Sequence, residues 1–195
     1  MKFEIFKCKT VTSTNDVAID LIRKDKKKTG YVYAELQTKG RGTHGKEWIS
    51  KKGNLFCSIF FPLEKNYPTF NEFSIINPII VSTIIKNFCK NKNINLKFPN
   101  DVFVSKKKIC GLLQETITFD TKKFLIIGIG INVISNPKIN DTYETTNIFL
   151  ETKKKPEIKE ITDLLIFYYE KFFVNLGSYS YVNFKKKAES MALNI

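Results

Sequence analysis

The sequence is poor in the residues that build disulfide frameworks and zinc sites. It has four cysteines and one histidine in 195 residues, and no two cysteines have the Cys-x-x-Cys spacing typical of zinc ligands. Cys8, Cys57, Cys89 and Cys110 lie in apolar stretches, where a free cysteine behaves as a small buried hydrophobe. We therefore expect free, buried thiols in a reduced, cytosolic compartment and no zinc site.

The sequence also lacks a long apolar run. The longest one, from Phe124 to Ile134, is too short to cross a bilayer, which takes about 20 residues. The first residues, Met1–Lys7, alternate between polar and apolar types and have no signal-type apolar core. These absences predict a cytoplasmic protein that has no membrane partner.

Arginine is scarce, although the chain is strongly basic. The net charge is +13, yet Arg23 and Arg41 are the only arginines. A basic surface attracts nucleic acid, membrane surfaces or acidic proteins. Because the excess is nearly all lysine, in a chain also rich in asparagine, isoleucine and phenylalanine, we interpret it as a compositional bias and expect no DNA binding. A non-catalytic basic domain that binds nucleic acid or an acidic carrier protein is the alternative from a different functional class.

Length and patterning indicate one domain, residues 1–195, that is large enough for a substantial core. Alternating or β-branched runs predict strands over 2–8, 31–36, 54–61, 102–104, 109–119 and 124–133. Helical spacing predicts helices from the cap residues 12–16 to about 24–28, over 71–90 and 158–176, and from about 180 to the chain end. Hairpins join the strands more often than βαβ crossovers do. We therefore predict an α/β fold of the α+β type, with helices packed on a mixed, mainly antiparallel sheet.

The segment Gln37–Trp48 concentrates residues that are rare elsewhere in the chain. It contains three glycines, Arg41, and the only histidine and tryptophan of the protein. Glycine lets the backbone approach a ligand closely, and arginine grips carboxylate or phosphate with a planar pair of donors. Since the segment follows a predicted strand, it is a candidate loop for an anionic ligand. The alternative is a flexible surface turn with solvated lysines.

A second segment places polar side chains on a constrained turn. Pro99 requires an extended residue before it, so that Asn100 and Asp101 project from the turn, and Lys108 follows shortly afterwards. An aspartate near phosphates can hold Mg²⁺, and a nearby lysine can neutralise the remaining charge. The simpler alternative is a Pro-Asn-Asp turn between two strands.

Two further motifs have structural explanations of their own. Ser13, with Asp16 three positions later, is typical of a capping box at a helix start; the alternative is that these polar groups also face a ligand. The segment Gly128–Gly130 resembles part of a dinucleotide fingerprint, but the third glycine and the following helix are missing. We therefore reject a Rossmann fold and expect these glycines to allow the close approach of a ligand or another backbone.

Taken together and in this order, the motifs resemble the catalytic domain of biotin protein ligases, within the biotin/lipoate ligase superfamily, over about residues 2–176. The matching pieces are Ser13-Thr14-Asn15, Gln37 with Gly40-Arg41-Gly42 and Trp48, Lys97 with Pro99-Asn100-Asp101, Lys108 with Gly111, Leu112, Leu113 and Glu115, and Gly128 to Asn132. The resemblance implies the class II synthetase-like fold of that superfamily.

The resemblance also implies an activity. Biotin would be activated with MgATP to biotinyl-5′-AMP and pyrophosphate. It would then pass to a specific lysine of the biotin carboxyl carrier protein or domain of an acetyl-CoA or related carboxylase. A lipoate or octanoate ligase on the same fold is the alternative within the superfamily.

The resemblance assigns roles to the matching residues. Arg41 and Lys108 take the catalytic roles, with Lys108 at the biotin carboxylate and the α-phosphate, and Asp101 is the implied Mg²⁺ ligand. The implied biotin-binding residues are Ser13, Thr14, Asn15, Gln37, Gly40, Arg41, Gly42, Lys108, Gly111 and Leu113. The implied nucleotide-binding residues are Thr43, His44, Lys46, Trp48, Lys97, Asn100 and Asn132.

The sequence departs from the family pattern in the loop and beside it. Thr43 stands where the loop usually has a second arginine that helps to retain the adenylate, so we expect this intermediate to leak more easily unless His44 compensates. Lys46 replaces another usual arginine, and Phe98 replaces a tryptophan. We expect neither an N-terminal helix-turn-helix domain nor repression of biotin genes, and a C-terminal β-barrel domain that is absent or truncated. A homodimer is left open.

Overall fold

A seven-stranded sheet organises the residues that this computed structural model describes, which are 1–137 and 143–193. The strands are β1 (Glu4–Val11), β2 (Gly30–Gln37), β3 (Leu55–Pro62), β4 (Ile94–Lys97), β5 (Asp101–Val104), β6 (Lys107–Phe119) and β7 (Lys122–Ile131). Their spatial order is β1-β2-β3-β7-β6-β5-β4. Only β1 and β2 pair in parallel among these strands, and the other neighbours are antiparallel. The predicted mixed, mainly antiparallel sheet is confirmed.

The helices cover the two faces of the sheet unequally. They are α1 (Thr14–Arg23), α2 (Phe70–Phe88), α3 (Ile148–Thr152), α4 (Ile158–Val174) and α5 (Tyr181–Ser190). Helix α1 connects the parallel pair β1 and β2, because parallel neighbours need a crossover. Its apolar side packs on one face of the sheet, in a cluster with Val32, Phe60 and Ile126. The opposite face carries the main core, to which α2 and α4 contribute.

Alternation along β6 decides which of its residues can reach a site. Gln114 contacts Asn77 of α2, with the Asn77 Nδ2 donating to Gln114 Oε1 at 2.8 Å. Glu115 contacts Asn15 at the start of α1 instead, on the other face. Because successive strand residues point to opposite faces, Gly111 and Leu113 share the α1 face with Glu115. On this face, next to the first turn of α1, a cleft lies over the sheet and is lined by Gly111 and Leu113.

Four local expectations differ from the structure. Strand β4 and the short helix α3 were not predicted, since both are shorter than the windows in which periodicity is visible. The final helix ends at Ser190 and does not continue to the chain end. After it, the chain pairs with β4, with Leu96 donating its amide to Met191 and accepting one from Leu193. Predicted residues 194 and 195 of that helix lie outside the described residues.

The fourth difference is at the start of α1. Ser13 caps the helix through Asn15, whose amide donates to the Ser13 hydroxyl at 3.3 Å. Asp16 does not complete the predicted capping box. Its carboxylate accepts hydrogen bonds from Thr12 and Arg41 instead, because the loop arginine is a stronger partner than a backbone amide.

The cysteines are free, and three of them are buried. Cys8 corrects the expectation for the fourth, since it lies only half-buried on the edge strand β1. Burial raises the pKa of the Cys57 thiol to about 12, so this thiol stays protonated near neutral pH. No helix in the described part of the chain is long and apolar enough to cross a membrane.

Candidate active site

A cleft of about 480 Å³ opens on the α1 face of the sheet. Three segments enclose it: the first turn of α1, the Gly-rich loop between β2 and β3, and the turn between β4 and β5. Every residue that the sequence assigned to the site lines this cleft except Gly40. The assigned lining residues are Ser13, Thr14, Asn15, Gln37, Arg41, Gly42, Thr43, His44, Lys46, Trp48, Lys97, Asn100, Asp101, Lys108, Gly111, Leu113 and Asn132.

Gly40 is the one residue of the predicted biotin-binding set that does not line the cleft. It is buried beneath the loop, and a Cβ there would lie 2.5 Å from the Trp48 carbonyl oxygen and 2.9 Å from Gln37 Nε2. Its carbonyl accepts the Trp48 amide at 2.9 Å. Gly40 therefore allows the two ends of the loop to meet, rather than forming part of the cleft wall.

The Gly-rich loop is a hydrogen-bonded turn rather than the flexible surface turn that was its alternative. Arg41 bridges to Glu47 in an antiparallel sense, and the Gly42 amide donates to the Lys46 carbonyl at 2.7 Å. The tip, Thr43–Gly45, forms a single 3₁₀ turn with His44 in the left-handed region at φ 55°. The loop thus holds a defined shape over the open half of the sheet.

The Trp48 indole lies flat against two glycines of the sheet. A Cβ on Gly130 would come within 2.4 Å of the ring, and one on Gly111 within 2.7 Å. The glycines of the Gly128–Gly130 segment were expected to allow a ligand or another backbone to come close, but the structure brings side chains against them instead, Trp48 at Gly130 and Asn15 at Gly128. Glycine is needed at positions 111 and 130 because any larger residue would displace the indole.

Two buried polar atoms in the cleft have no hydrogen-bond partner among the described residues. They are the Trp48 indole nitrogen and the Asn132 side-chain oxygen. Buried polar groups are rarely left without a partner, so each of these atoms is a place where a bound molecule could donate or accept a hydrogen bond. Asn132 is held in position through its amide nitrogen, which donates to the Thr146 carbonyl at 3.0 Å.

The start of α1 supplies a compact set of hydrogen-bonding groups at one end of the cleft. Gln37 Oε1 accepts the Thr14 amide at 2.9 Å and lies 3.2 Å from the Thr14 hydroxyl. Ser58 donates to Asn15 Oδ1 at 2.5 Å and lies 2.7 Å from the same Thr14 hydroxyl. The polar groups at the start of α1 therefore lie together at the cleft, and Ser58, which is fully buried beneath them, holds Thr14 and Asn15 in place.

Lys108 lies at the centre of the cleft as a largely buried cation. Its Nζ is 2.8 Å from Asp101 Oδ1, and the exposed fractions of the two side chains are 13% and 11%. It also lies 5.5 Å from the centre of the Trp48 ring and 5.4 Å from that of Tyr143. Aromatic faces stabilise a cation that has left water. The cleft therefore contains a positively charged side chain that is largely shielded from solvent.

The arrangement of Asp101 bears on the implied Mg²⁺ site. Its carboxylate is ion-paired with Lys108, and the described residues contain no group of three or more histidine, cysteine or acidic side chains that could enclose a metal. Mg²⁺ bound with a nucleotide needs only one or two carboxylates, since phosphates and waters complete its shell. The site fits an ion that arrives with ATP. The described residues do not provide the set of ligands that a permanently bound metal would need.

Three residues near the cleft were missed as site residues by sequence reasoning. Asp16 and Glu115 bind the Arg41 guanidinium, with nitrogen–oxygen distances of 2.6 and 3.0 Å. Burial opposes the charge on Arg41, but the hydrogen bonds to Asp16 and Glu115 outweigh it and raise the pKa of this guanidinium. Tyr143 packs between Lys97 and Lys108. The acidic residue in the first turn of α1 was a usable signal, whereas nothing in the local pattern around Tyr143 pointed to the cleft.

Comparison with known proteins places this geometry in context. A sequence profile of the Biotin/lipoate A/B protein ligase family matches residues 7–132. The bifunctional ligase/repressor BirA of Escherichia coli (strain K12) is 32% identical over 126 residues, which are 63% of this chain and 38% of that protein. BirA of Bacillus subtilis (strain 168) is 26% identical over 196 residues, covering 95% of this chain and 58% of that protein. The chain therefore spans less than two thirds of the length of either relative.

Solved structures show the same fold. The biotin protein ligase from Aquifex aeolicus in complex with biotin and ATP has a TM-score of 0.80 and 29% identity, over 97% of this chain and 78% of that one. The Leishmania major biotin protein ligase in complex with biotinyl-5-AMP has a TM-score of 0.79 and 25% identity, over 98% and 83%. These similarities confirm the predicted fold class.

Proposed function

Because the chain belongs to the biotin/lipoate A/B protein ligase family, we propose that it is a biotin–protein ligase. It activates biotin with MgATP to biotinyl-5′-AMP and then transfers biotin to a lysine of a carboxylase carrier domain. The relatives named biotin protein ligases, and the solved complexes with biotin and ATP, support this choice within the family. The lipoate alternative has no comparable support among these similarities.

The observation that carries the proposal is the largely buried cation Lys108 in a cleft that is lined by two different kinds of groups. One end has the hydrogen-bonding groups of Thr14, Asn15 and Gln37, which suit the ureido ring of biotin. The other end has the unpartnered oxygen of Asn132, beside aromatic faces, which suits a nucleotide. Adenylation needs a positive charge where these two ligands meet, and the position of Lys108 in the cleft wall supports this role for its ammonium group.

The chemistry then follows from charge and position. A biotin carboxylate oxygen attacks the α-phosphorus of ATP, a new O–P bond forms, and the bond to pyrophosphate breaks. Negative charge accumulates on the α-phosphate oxygens, where the Lys108 ammonium stabilises it. Fixed donors of this kind typically contribute about 3–4 kcal/mol, or on the order of 10²–10³ in rate. No covalent bond to the protein is required, since holding both substrates supplies much of the acceleration.

In the second step the acceptor lysine attacks the acyl carbon of the adenylate. The C–N bond forms, the C–O bond to AMP breaks, and the amine proton is released. The Gly-rich loop covers the mixed anhydride meanwhile and excludes water from it. Mg²⁺ bound with ATP would supply charge neutralisation on the leaving pyrophosphate, and Asp101, which lines the cleft, is the residue that would hold it.

The first experiment is pyrophosphate exchange into ATP, with MgATP and no acceptor protein, comparing biotin with lipoate. Biotin-dependent exchange would support the adenylating step in this chain. Exchange with lipoate alone would move the protein to the alternative within the family. Exchange with neither, combined with DNA binding that weakens steeply with salt, would favour the non-catalytic basic domain.

The acceptor is tested separately, by mass spectrometry of an isolated biotin carboxyl carrier domain after incubation with biotin and MgATP. A single biotin on the lysine of the carrier turn, absent from a lysine-to-arginine carrier, is the expected product. Modification of other lysines at equal rates would contradict a specific carrier partner.

A further inference from the structure

Arg41 is held by two carboxylates that come from different elements. Its Nη1 lies 2.6 Å from Asp16 Oδ1 on α1, and its Nη2 lies 3.0 Å from Glu115 Oε2 on β6. The three side chains are 37%, 40% and 32% exposed. Both terminal nitrogens of the guanidinium, the pair that would grip a ligand carboxylate or phosphate, therefore already have anionic partners within the protein.

Glu115 also connects this ion pair to the polar end of the cleft. Asn15 Nδ2 donates to Glu115 Oε2 at 2.6 Å, the same oxygen that Arg41 binds. The other side of the Asn15 amide is fixed by buried Ser58 at 2.5 Å. Gly128 gives Asn15 its room on the sheet, because a Cβ there would lie 2.7 Å from Asn15 Oδ1. A continuous set of hydrogen bonds thus runs from the sheet to the Gly-rich loop.

We propose that Asp16 and Glu115 are positioning residues that hold the Gly-rich loop over the cleft by binding Arg41, and that Asn15 couples this contact to the biotin end. The coupling to biotin rests on the proposed function. Arg41 then acts by fixing the loop that carries it, and contacts to the ligand come from other groups of the loop and from Lys108. This replaces the direct catalytic role that the sequence resemblance implied for Arg41.

The physical basis is a network rather than an isolated surface pair. A single exposed ion pair changes an equilibrium by only about one- to fivefold. Here one arginine bridges two carboxylates, and one of those carboxylates is already fixed by a buried amide, so that less side-chain freedom is lost for each contact. We expect removal of either carboxylate charge to increase loop opening by about three- to tenfold.

The first test needs no ligand, and therefore decides the loop contact independently of the proposed function. Amide hydrogen exchange is measured over the loop peptide in the full chain, for wild type, Asp16→Asn and Glu115→Gln. Asp20→Asn is the matched control, since Asp20 lies on the same helix and pairs with exposed Lys24. We expect the loop amides to exchange faster than in wild type in Asp16→Asn and Glu115→Gln, and at the wild-type rate in the control. Exchange unchanged in both would overturn the proposal.

The second test asks whether Arg41 works through these carboxylates. The biotin KM and kcat of pyrophosphate exchange are measured for Arg41→Gln, for Asp16→Asn/Glu115→Gln, and for the triple variant. A positioning role predicts a raised KM with little change in kcat, and little further loss in the triple variant. Arg41→Gln could instead raise the biotin KM as much in the double variant Asp16→Asn/Glu115→Gln as it does in wild type. That result would show that Arg41 contacts the ligand directly, and it would overturn the inference.

Thermal unfolding of each variant separates loop positioning from general destabilisation. Unfolding temperatures close to wild type, together with faster loop exchange, support a local effect. If the free energy of unfolding falls enough to explain the faster exchange by itself, the proposed local effect on the loop is overturned. If wild type shows no biotin-dependent exchange, the proposed function fails, and the ligand-free measurement still decides whether Asp16 and Glu115 hold the loop.

Discussion

At the scale of single residues, three side chains decide which charges the cleft offers to a ligand: Lys108, Arg41 and Thr43. Lys108 provides a buried cation, and Arg41 is neutralised within the protein by its two carboxylates. Thr43, at the tip of the loop, offers only a hydroxyl, which accepts a long hydrogen bond of 3.4 Å from Asn100. The charged donor that the family resemblance implies at this position is absent, so under the proposed function we expect fewer charge-assisted contacts to retain the adenylate.

Replacing Thr43 by arginine should slow the release of biotinyl-5′-AMP. A charge-assisted hydrogen bond contributes about 1.5–3 kcal/mol, which corresponds to roughly a ten- to hundredfold slower dissociation. Adenylate is formed on the protein in a single turnover. The fraction that remains bound is then measured over time, with rapid desalting to separate the protein from released adenylate. Thr43→Gln is the control for side-chain length without charge. Slow release from wild type, or equal rates for all three proteins, would contradict the leak hypothesis.

Replacing Lys108 by glutamine should reduce pyrophosphate exchange by about 10²–10³, because the charge that stabilises the α-phosphate is removed. Asp101 then loses its ion pair with Lys108, and we expect stability to fall by about 1–3 kcal/mol. The double variant Asp101→Asn/Lys108→Gln should recover part of the stability without recovering exchange. Folded Lys108→Gln protein with near-normal exchange would refute the role assigned to this lysine.

At the scale of elements, the loop and the sheet are built to fit one another. Trp48 is the only tryptophan, and it packs on strands β6 and β7 only because Gly111 and Gly130 leave room for its ring. The Gly40 carbonyl accepts the Trp48 amide from the other end of the loop. The position of the loop is therefore set by two strands that lie far from it in the sequence.

Adding a single methyl group at Gly130 should displace the indole. The Cβ would lie 2.4 Å from Trp48 atoms, and relief of such overpacking costs about 1–3 kcal/mol. Gly130→Ala should shift the fluorescence emission of Trp48 to longer wavelength and raise the KM for ATP. Gly177→Ala, where a Cβ meets nothing within 4 Å, is the matched control. An emission spectrum identical to wild type would mean that the indole does not rest on this strand.

At the scale of the whole molecule, charge is the dominant surface property. The chain carries a formal net charge of +13, which is the excess of lysine and arginine that remains after all acidic side chains, including those in exposed pairs such as Lys24 with Asp20, have been counted. Such a field extends over about one Debye length, roughly 8 Å at physiological salt. It affects the rate at which a charged partner arrives more than the stability of the fold.

Transfer of biotin to an acidic carrier domain should therefore slow as salt increases. Between about 50 and 500 mM NaCl we expect kcat/KM for the carrier to fall by roughly tenfold, because electrostatic steering is screened. Hydroxylamine, an uncharged acceptor near neutral pH, is the control and should react with the adenylate at a nearly constant rate. A flat response with the carrier would remove the idea that the basic surface recruits it.

The sequence alone determined the longer helices and strands and the segments that form the cleft, but not the short elements β4 and α3. The periodicity that marks α2, α4, β3 and β7 is a local property, since an amphipathic or β-branched run must bury its apolar side wherever it packs. The residues in the Gly-rich loop and around Pro99 were recognisable because few folds require those types together. Of the residues that the sequence assigned to the site, all but Gly40 line the cleft.

The tertiary structure alone decided which of these residues are partners. Arg41 lies 25 residues from Asp16 and 74 from Glu115 in the sequence, and no local pattern encodes such a pairing. The same holds for Trp48 on Gly130, for Tyr143 beside Lys108, and for the chain end that pairs with β4. The reason is physical: periodicity reports the burial of each segment, whereas the choice of an ionic or aromatic partner depends on how the strands are ordered in the sheet.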